Sequence, residues 1–453
     1  MNLKNIVEPK SIALYGVSKN NKAHPANIIL KKNSEQSDIK IFCVNPSGGD
    51  YHGFKLYKSA SELPQKADAA VFVVRADQVA AAMSDCADAG IKGGIVISGG
   101  FSEAGRPDLQ VEIQRVSKEK KFPIIGPNGL GVYSPPGLNT FFFHDERFVK
   151  PPMGKIGLVS QSGGILVDLM IRFTQENVGI SRALSIGNKA IVDEVDSLKF
   201  FIDDPRTDVI GIYFEGFLPG RGRDFIKVIN STDKPVVIYK AGKTPASASA
   251  ISSHTAAVAG EYPVFKDIIS QTRAVEVDTE PDFLSACEGL ASWGRKKIEK
   301  VAIVTMSGGH GVIATDYLYN AGIQISKISP ADSSALREKM SPNIRAIASF
   351  TNPFDLTGSA IDDDFLKAAE FAIQHPDVDA VFMLFLPFIP ALTSALPPRL
   401  ADLKELSGKP IVCYVPYLPK FGVFIEGFEA NGIPVSHSID GAVTMLAAIG
   451  GCR

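Results

Sequence analysis

The chain is predicted to fold as three α/β domains, each a doubly wound and mostly parallel sheet. Short, continuous apolar runs recur at βα spacing with amphipathic stretches between them, as strands buried on both faces do. One strand–turn unit, Ile156-Gly-Leu-Val-Ser-Gln-Ser-Gly-Gly164, returns as Val301-Ala-Ile-Val-Thr-Met-Ser-Gly-Gly309. The second and third domains therefore read as copies of one fold. The predicted boundaries are 1–135, 150–292 and 298–453.

A length of 453 residues suits two to four domains. A hydrophobic content of 45% and a charged content of 21% are those of a soluble globular chain. The formal charge of −2 argues against a general nucleic-acid binder. Cys43, Cys86, Cys287, Cys413 and Cys452 are scattered without a CxxC pair. That spacing suits a reducing compartment and predicts neither a zinc site nor a disulfide framework. The first ten residues lack the apolar core of a signal peptide. No apolar run reaches the roughly 18 residues of a membrane helix. A cytoplasmic protein with no metal site is expected.

In the first domain, strands are predicted at Ser11–Gly16, Lys40–Pro46, Ala69–Val74, Gly93–Ser98 and Phe122–Gly126. Ligands bind such sheets at the carboxyl ends of the strands. The turns holding Gly16, Val17, Ser18, Lys19, Asn45, Pro46, Val74, Arg75, Ser98 and Gly99 should meet there. Asn128 and Gly129, in the glycine-dense Gly126-Pro-Asn-Gly-Leu-Gly131, are grouped with them. Tyr15-Gly-Val-Ser18 is not a full GxGxxG, which counts against a nicotinamide dehydrogenase. Pro135-Pro-Gly137 and Lys150-Pro-Pro-Met-Gly154 then bracket Thr140-Phe-Phe-Phe-His-Asp145, read as an extended arm packed on a neighbouring domain.

The second domain opens with the strand Lys155–Ser160, a Gln161-Ser-Gly-Gly164 turn and an apolar helix. Strand, Ser-Gly-Gly turn and helix start are the layout of an anion site, because free N–H groups and the helix dipole point outward together; the alternative is a glycine turn chosen only for geometry. Ser160, Gln161, Ser162, Gly163 and Gly164 are its candidates, with Gly187 and Asn188 from the strand-end turn Leu184–Lys189. Glu215 ends the apolar run Asp208–Gly216, where a carboxylate needs a partner, a task or water. The strand Lys234–Lys240 leads into Lys243–Gly260, read as a flexible loop of small residues around His254. One ring nitrogen of such a histidine is free to attack; from the loop alone, a solvated linker whose histidine does nothing is the equal alternative. The third domain has no equivalent of that loop, so it is expected to scaffold or dock. His310 is read as a surface turn residue.

Seven motifs occur in a fixed order: Gly126-Pro-Asn-Gly-Leu-Gly, Ser160-Gln-Ser-Gly-Gly, Ser185-Ile-Gly-Asn-Lys-Ala, Tyr213-Phe-Glu-Gly, Ser253-His-Thr-Ala-Ala-Val-Ala-Gly, Ser307-Gly-Gly-His-Gly and Asn352-Pro-Phe-Asp-Leu-Thr-Gly. With them the chain resembles, over essentially its whole length, the α subunit of the NDP-forming acyl-CoA synthetases, relatives of succinyl-CoA synthetase. The resemblance implies a Rossmann-like CoA-binding domain followed by two flavodoxin-like domains. It implies that His254 is phosphorylated, that Glu215 orients it, and that the Ser160–Gly164 turn holds the phosphoryl group. It implies coenzyme A and a small carboxylic acid as substrates. ATP or ADP (or GDP) with Mg2+ would come through an ATP-grasp β subunit, in a heterotetramer. Ala256 stands where the family usually has glycine. The alternative is a non-catalytic CoA-binding or regulatory module, which has no need of both Glu215 and His254.

Overall fold

The computed structural model describes residues 1–255 and 262–451, with the backbone alone at 252–255. Ala256 and Cys452 therefore lie outside the described residues. The chain divides into two compact units, Met1–Val277 and Asp278–Arg453.

The first unit carries two sheets. The first sheet contains β1 (Ser11–Tyr15), β2 (Lys40–Val44), β3 (Gly49–Tyr51), β4 (Phe54–Tyr57), β5 (Ala69–Phe72), β6 (Gly94–Val96) and β7 (Ile124–Ile125). Their order is β3-β4-β2-β1-β5-β6-β7. All neighbours run parallel except β3 and β4 at one edge. All of β1 is buried, as a central strand covered on both faces must be. The strand order reverses at β1, where sheets of this kind open a crevice.

The second sheet contains β8 (Gly131–Tyr133), β9 (Met153–Ser160), β10 (Ile180–Ser185), β11 (Val209–Phe214), β12 (Val236–Lys240) and β13 (Val275–Val277), ordered β13-β12-β11-β9-β10-β8. Only β8 is antiparallel to its neighbour. One apolar core runs through both sheets: Ile95 and Ile125 share it with Val132, Val159 and Leu184. The aromatic segment is an arm, as expected. Lys32 Nζ donates to the carbonyls of Phe141 and Phe143, each at 2.7 Å, fastening it to the helix Pro25–Gln36 of the first domain.

The second unit has one sheet of β14 (Lys300–Thr305), β15 (Gln324–Ile325), β16 (Phe354–Asp355), β17 (Ala380–Leu384), β18 (Ile411–Tyr414) and β19 (Val435–Ser436). The run β14-β17-β18-β19 repeats β9-β11-β12-β13. The place of β10 is shared by two short strands, β15 beside Lys300–Val301 and β16 beside Val304–Thr305. The duplication seen in the wording of the sequence is thus a duplication of topology. The helix Glu280–Trp293, which the expected boundary of 292 assigns to the middle domain, belongs to this unit. It packs on Ile439–Gly450, and a Cβ on Gly289 would lie 2.9 Å from that of Met445. Among the described residues no helix is long and apolar enough to cross a membrane.

Candidate functional site

A cavity of about 970 Å3 opens at the carboxyl edge of the first sheet, where the strand order reverses. Gly16, Val17, Ser18 and Lys19 line it after β1, Asn45 and Pro46 after β2, and Val74 and Arg75 beyond β5. Gly16 has a φ of +102°, and a Cβ there would lie 2.0 Å from the carbonyl oxygen of Val73, so this turn requires glycine. The turn is braced from two sides. Ser18 N–H donates to Asn27 Oδ1 at 2.8 Å, and Asn45 Nδ2 donates to the carbonyl of Val17 at 2.8 Å. Lys19, Lys58 and Arg75 give the cavity three cations; Arg75 is held by Asp77. The wall also includes Tyr15 and Asp85, with Tyr15 Oη donating to Asp85 Oδ2 at 2.6 Å. Lys58, His24 and Asp85 stand in stretches with no glycine signature, so nothing in the sequence marks them.

Ser98, Gly99, Asn128 and Gly129 do not line that cavity. They gather instead at the junction with the second sheet. Asn128 N–H donates to the carbonyl of Ser98 at 2.9 Å, and Asn128 Nδ2 reaches Asn188 Oδ1 at 3.3 Å. Asn188 N–H donates to Pro127 O at 2.8 Å, and its side chain donates to Glu103 at 2.5 Å. Gly187 has a φ of +53° and no room for a Cβ, which would sit 2.1 Å from Pro127 O. Gly187 and Asn188, expected in a phosphate site, therefore stand with the first domain's turns.

At the carboxyl edge of the second sheet, β9 ends in the expected turn and helix, Gly163–Gln175. Ser162 caps that helix, its Oγ accepting from Ile165 N–H at 3.4 Å. Ser160 is fully buried, and its Oγ donates to the carbonyl of Ser162 at 2.6 Å. The leading N–H groups, at Gly163 and Gly164, have no carbonyl within the helix to meet. Beside this turn, β11 delivers Glu215, which is buried. Glu215 N–H donates to Gln161 Oε1 at 3.1 Å, and Tyr213 Oη lies 3.4 Å from Glu215 Oε1. The backbone of Glu215 and the side chain of the anion turn's Gln161 are thus joined.

Two buried lysines face the same tip. Lys240 Nζ donates to the carbonyl of Glu215 at 2.6 Å and also to that of Ala241. Lys189 Nζ donates to Glu194 Oε2 at 2.9 Å and to the carbonyl of Gly216. Burial pulls the Lys240 ammonium down to about 8, against a smaller opposing pull from the Glu215 carboxylate. Burial also raises the Glu194 carboxyl, with Lys189 opposing. Neither lysine was singled out from the sequence. The signal existed: Lys240, like Glu215, is a charge ending an apolar strand.

The stretch around His254 is not the loop expected. Pro245–Thr255 is an α-helix, and His254 lies in its last turn. The cause is local. Thr244 Oγ1 accepts from Ser247 N–H at 3.1 Å while Ser247 Oγ accepts from Thr244 N–H at 3.0 Å, a reciprocal cap with proline at the first helical position. The alanines that follow are the strongest helix formers. The helix runs beside the Ser102–Ala104 turn that holds Glu103. The side chain of His254 lies outside the described residues. In the second unit His310 is in the first turn of the helix Gly308–Asn320, its Nδ1 3.0 Å from Ser307 Oγ. Cys43, Cys86, Cys287 and Cys413 are buried and free, and burial pushes the Cys43 and Cys86 thiols up to about 12. Among the described residues no cluster of three or more His, Cys, Asp or Glu side chains could hold a metal.

Residues 10–135 match the CoA binding domain family, and residues 153–290 match the succinyl-CoA ligase like flavodoxin domain. The α subunit of acetate–CoA ligase [ADP-forming] I from Pyrococcus furiosus is 33% identical, the alignment covering 99% of this chain and 97% of that one. Acetate–CoA ligase [ADP-forming] from Methanocaldococcus jannaschii is 31% identical over 79% of this chain, which spans only 49% of that longer protein. Among solved structures, dinucleotide-forming acetyl-coenzyme A synthetase 1 of Ca. Korarchaeum cryptofilum, in complex with phosphate and ADP, superposes with a TM-score of 0.90. It is 31% identical, with 99% of this chain and 96% of that one covered.

Proposed function

The chain belongs to the family of ADP-forming acetate–CoA ligase α subunits, and on that premise we propose that it interconverts acyl-CoA, ADP and phosphate with carboxylic acid, CoA and ATP. Phosphate attacks the thioester carbonyl, the C–S bond breaks, and acyl phosphate and CoA result. The phosphoryl group of acyl phosphate passes to a ring nitrogen of His254, releasing the carboxylate. Phosphohistidine then gives the group to ADP. Coenzyme A occupies the cavity at the switch point of the first sheet, its phosphates among Lys19, Lys58 and Arg75. The N–H groups opening the Gly163–Gln175 helix stabilise the transferred phosphoryl charge. Glu215 holds one nitrogen of His254, which makes the other the better nucleophile.

The observation that carries this reading is the bond from Glu215 to Gln161. It ties the backbone of a buried glutamate to an anion turn on one edge of the sheet whose next strand leads to the His254 helix. The nucleotide, with Mg2+, enters through an ATP-grasp β subunit, and two copies of each chain assemble in the cytoplasm. Reconstitution tests it. The purified chain with a cognate ATP-grasp subunit should form acyl-CoA from ATP, acid and CoA, and the chain alone should not. Turnover by the chain alone would contradict the division of labour.

A further inference from the structure

Buried cations are costly to hold, and two of them meet one tip of one strand. Lys240 is 3% exposed and Lys189 is 2% exposed. They donate to consecutive carbonyls, those of Glu215 and Gly216. The Lys240 ammonium also takes the carbonyl of Ala241, the first residue after β12 on the path to His254. The backbone agrees, since Ala241 N–H donates to Phe214 O at 3.1 Å. One ammonium therefore ties the tip presenting Glu215 to the root of the segment that bears the histidine. The Lys240 ammonium also stands 5.6 Å and 5.9 Å from the ring centres of Phe214 and Phe265, whose faces attract a cation and help to hold it at this tip.

We infer that Lys240 is a positioning residue for phosphoryl transfer, holding Glu215 in register with the carrier histidine; this rests on Glu215 and His254 acting as proposed above. As an ammonium, Lys240 makes charge-assisted bonds to both carbonyls, about twice as strong as neutral ones. As a neutral amine it holds them less well and no longer offsets the Glu215 carboxylate. The charged groups around it are Glu215, Lys189, Lys243 and Glu276. Burial brings its proton loss to about pH 8, so the clamp weakens within a range where the enzyme can be assayed.

The experiment follows the rate of phosphohistidine formation from labelled ATP in the holoenzyme, assembled with its ATP-grasp subunit, between about pH 6.5 and 9.5, the range that brackets this proton loss. Lys240→Met should label about 10–100-fold more slowly at neutral pH, the scale on which misplacing a reacting group acts. Its affinity for CoA should be unchanged. Lys240→Arg should recover most of the rate, and the alkaline fall near pH 8 should move beyond the measured range, because arginine does not titrate there. A lysine that only fills space would not move that limb. Wild-type labelling in Lys240→Met, or an alkaline fall near pH 8 surviving in Lys240→Arg, overturns the assignment while leaving His254 as carrier. No acid-labile label in the wild type overturns the carrier role itself, and Lys240's with it. If Lys240→Met does not fold, the pH profile of Lys240→Arg decides.

Discussion

Glu215 donates its backbone N–H to Gln161 Oε1 at 3.1 Å, so the main chain that presents the carboxylate at the end of one strand is tied to the anion turn at the end of its neighbour in the sheet. The two strands, β9 and β11, run parallel with Ser160 opposite Tyr213, which brings their ends level. Both partners are buried, so the bond cannot be replaced by bulk water.

Gln161→Ala removes that acceptor and leaves a buried N–H unmatched, at a cost of about 1–3 kcal/mol. Labelling of the histidine should slow about 10-fold or more, as expected when a catalytic group loses its placement. Chemical denaturation and single-turnover labelling on the same preparation check both. A variant as stable and as fast as wild type would show that the bond does not position Glu215.

Coenzyme A should bind the whole chain with measurable heat, and NAD should not. The full chain is needed because the core of the first sheet continues into the second. Lys19→Ala and Lys58→Ala should each weaken binding about 3–10-fold, the loss of a charge-assisted phosphate contact. The wild-type affinity should fall with added salt. Heat with NAD and none with CoA would restore the dehydrogenase reading.

Lys189→Met should be among the most destabilising substitutions, by about 3–5 kcal/mol, because it leaves Glu194 buried without its cation. The pair replacement Lys189→Met with Glu194→Gln should recover most of the loss, since no lone charge remains. Equal stability of the single and the double variants would mean that the two side chains do not form a pair in solution.

The pH dependence of stability should separate from that of labelling at Lys240. Its folded pKa, about 8, lies below the ordinary 10.5, so the unfolded state binds more protons between those values. Stability relative to Lys240→Met should therefore rise from about pH 8 to 10.5, as the cost of burying the cation is relieved. Over the same range the labelling rate should fall. Melts of both proteins across this range provide the check, and a flat difference would place the Lys240 titration elsewhere.

The strands were legible because parallel strands covered on both faces leave unbroken apolar runs, and the repeat at 156–164 and 301–309 marked the duplication. The turns after β1, β2 and β5 were legible as a ligand edge because topology forces them together. Ser98 and Asn128 were not separable from them, because Asn128, bonded to Ser98, turns to the domain junction and meets Asn188, sixty residues beyond Asn128. The helix Pro245–Thr255 was hidden by its composition: small polar residues suggest a loop, and the Thr244–Ser247 cap that nucleates it was the signal passed over. Lys240 was marked, like Glu215, as a charge ending an apolar strand, but the backbone carbonyls that it and Lys189 hold are revealed by no sequence pattern.

The carrier role of His254 is tested most directly by the chemistry of the label. With the β subunit and ATP labelled at the γ-phosphate, the chain should take up radiolabel that is lost in acid and kept in base, as phosphate on an imidazole nitrogen is and phosphate on serine is not. His254→Ala should abolish labelling and overall turnover while leaving CoA binding intact. Glu215→Gln should reduce labelling by about 10²-fold or more, the usual scale for a positioned catalytic group. Acid-labile label that persists in His254→Ala would assign the carrier to another residue and contradict the account.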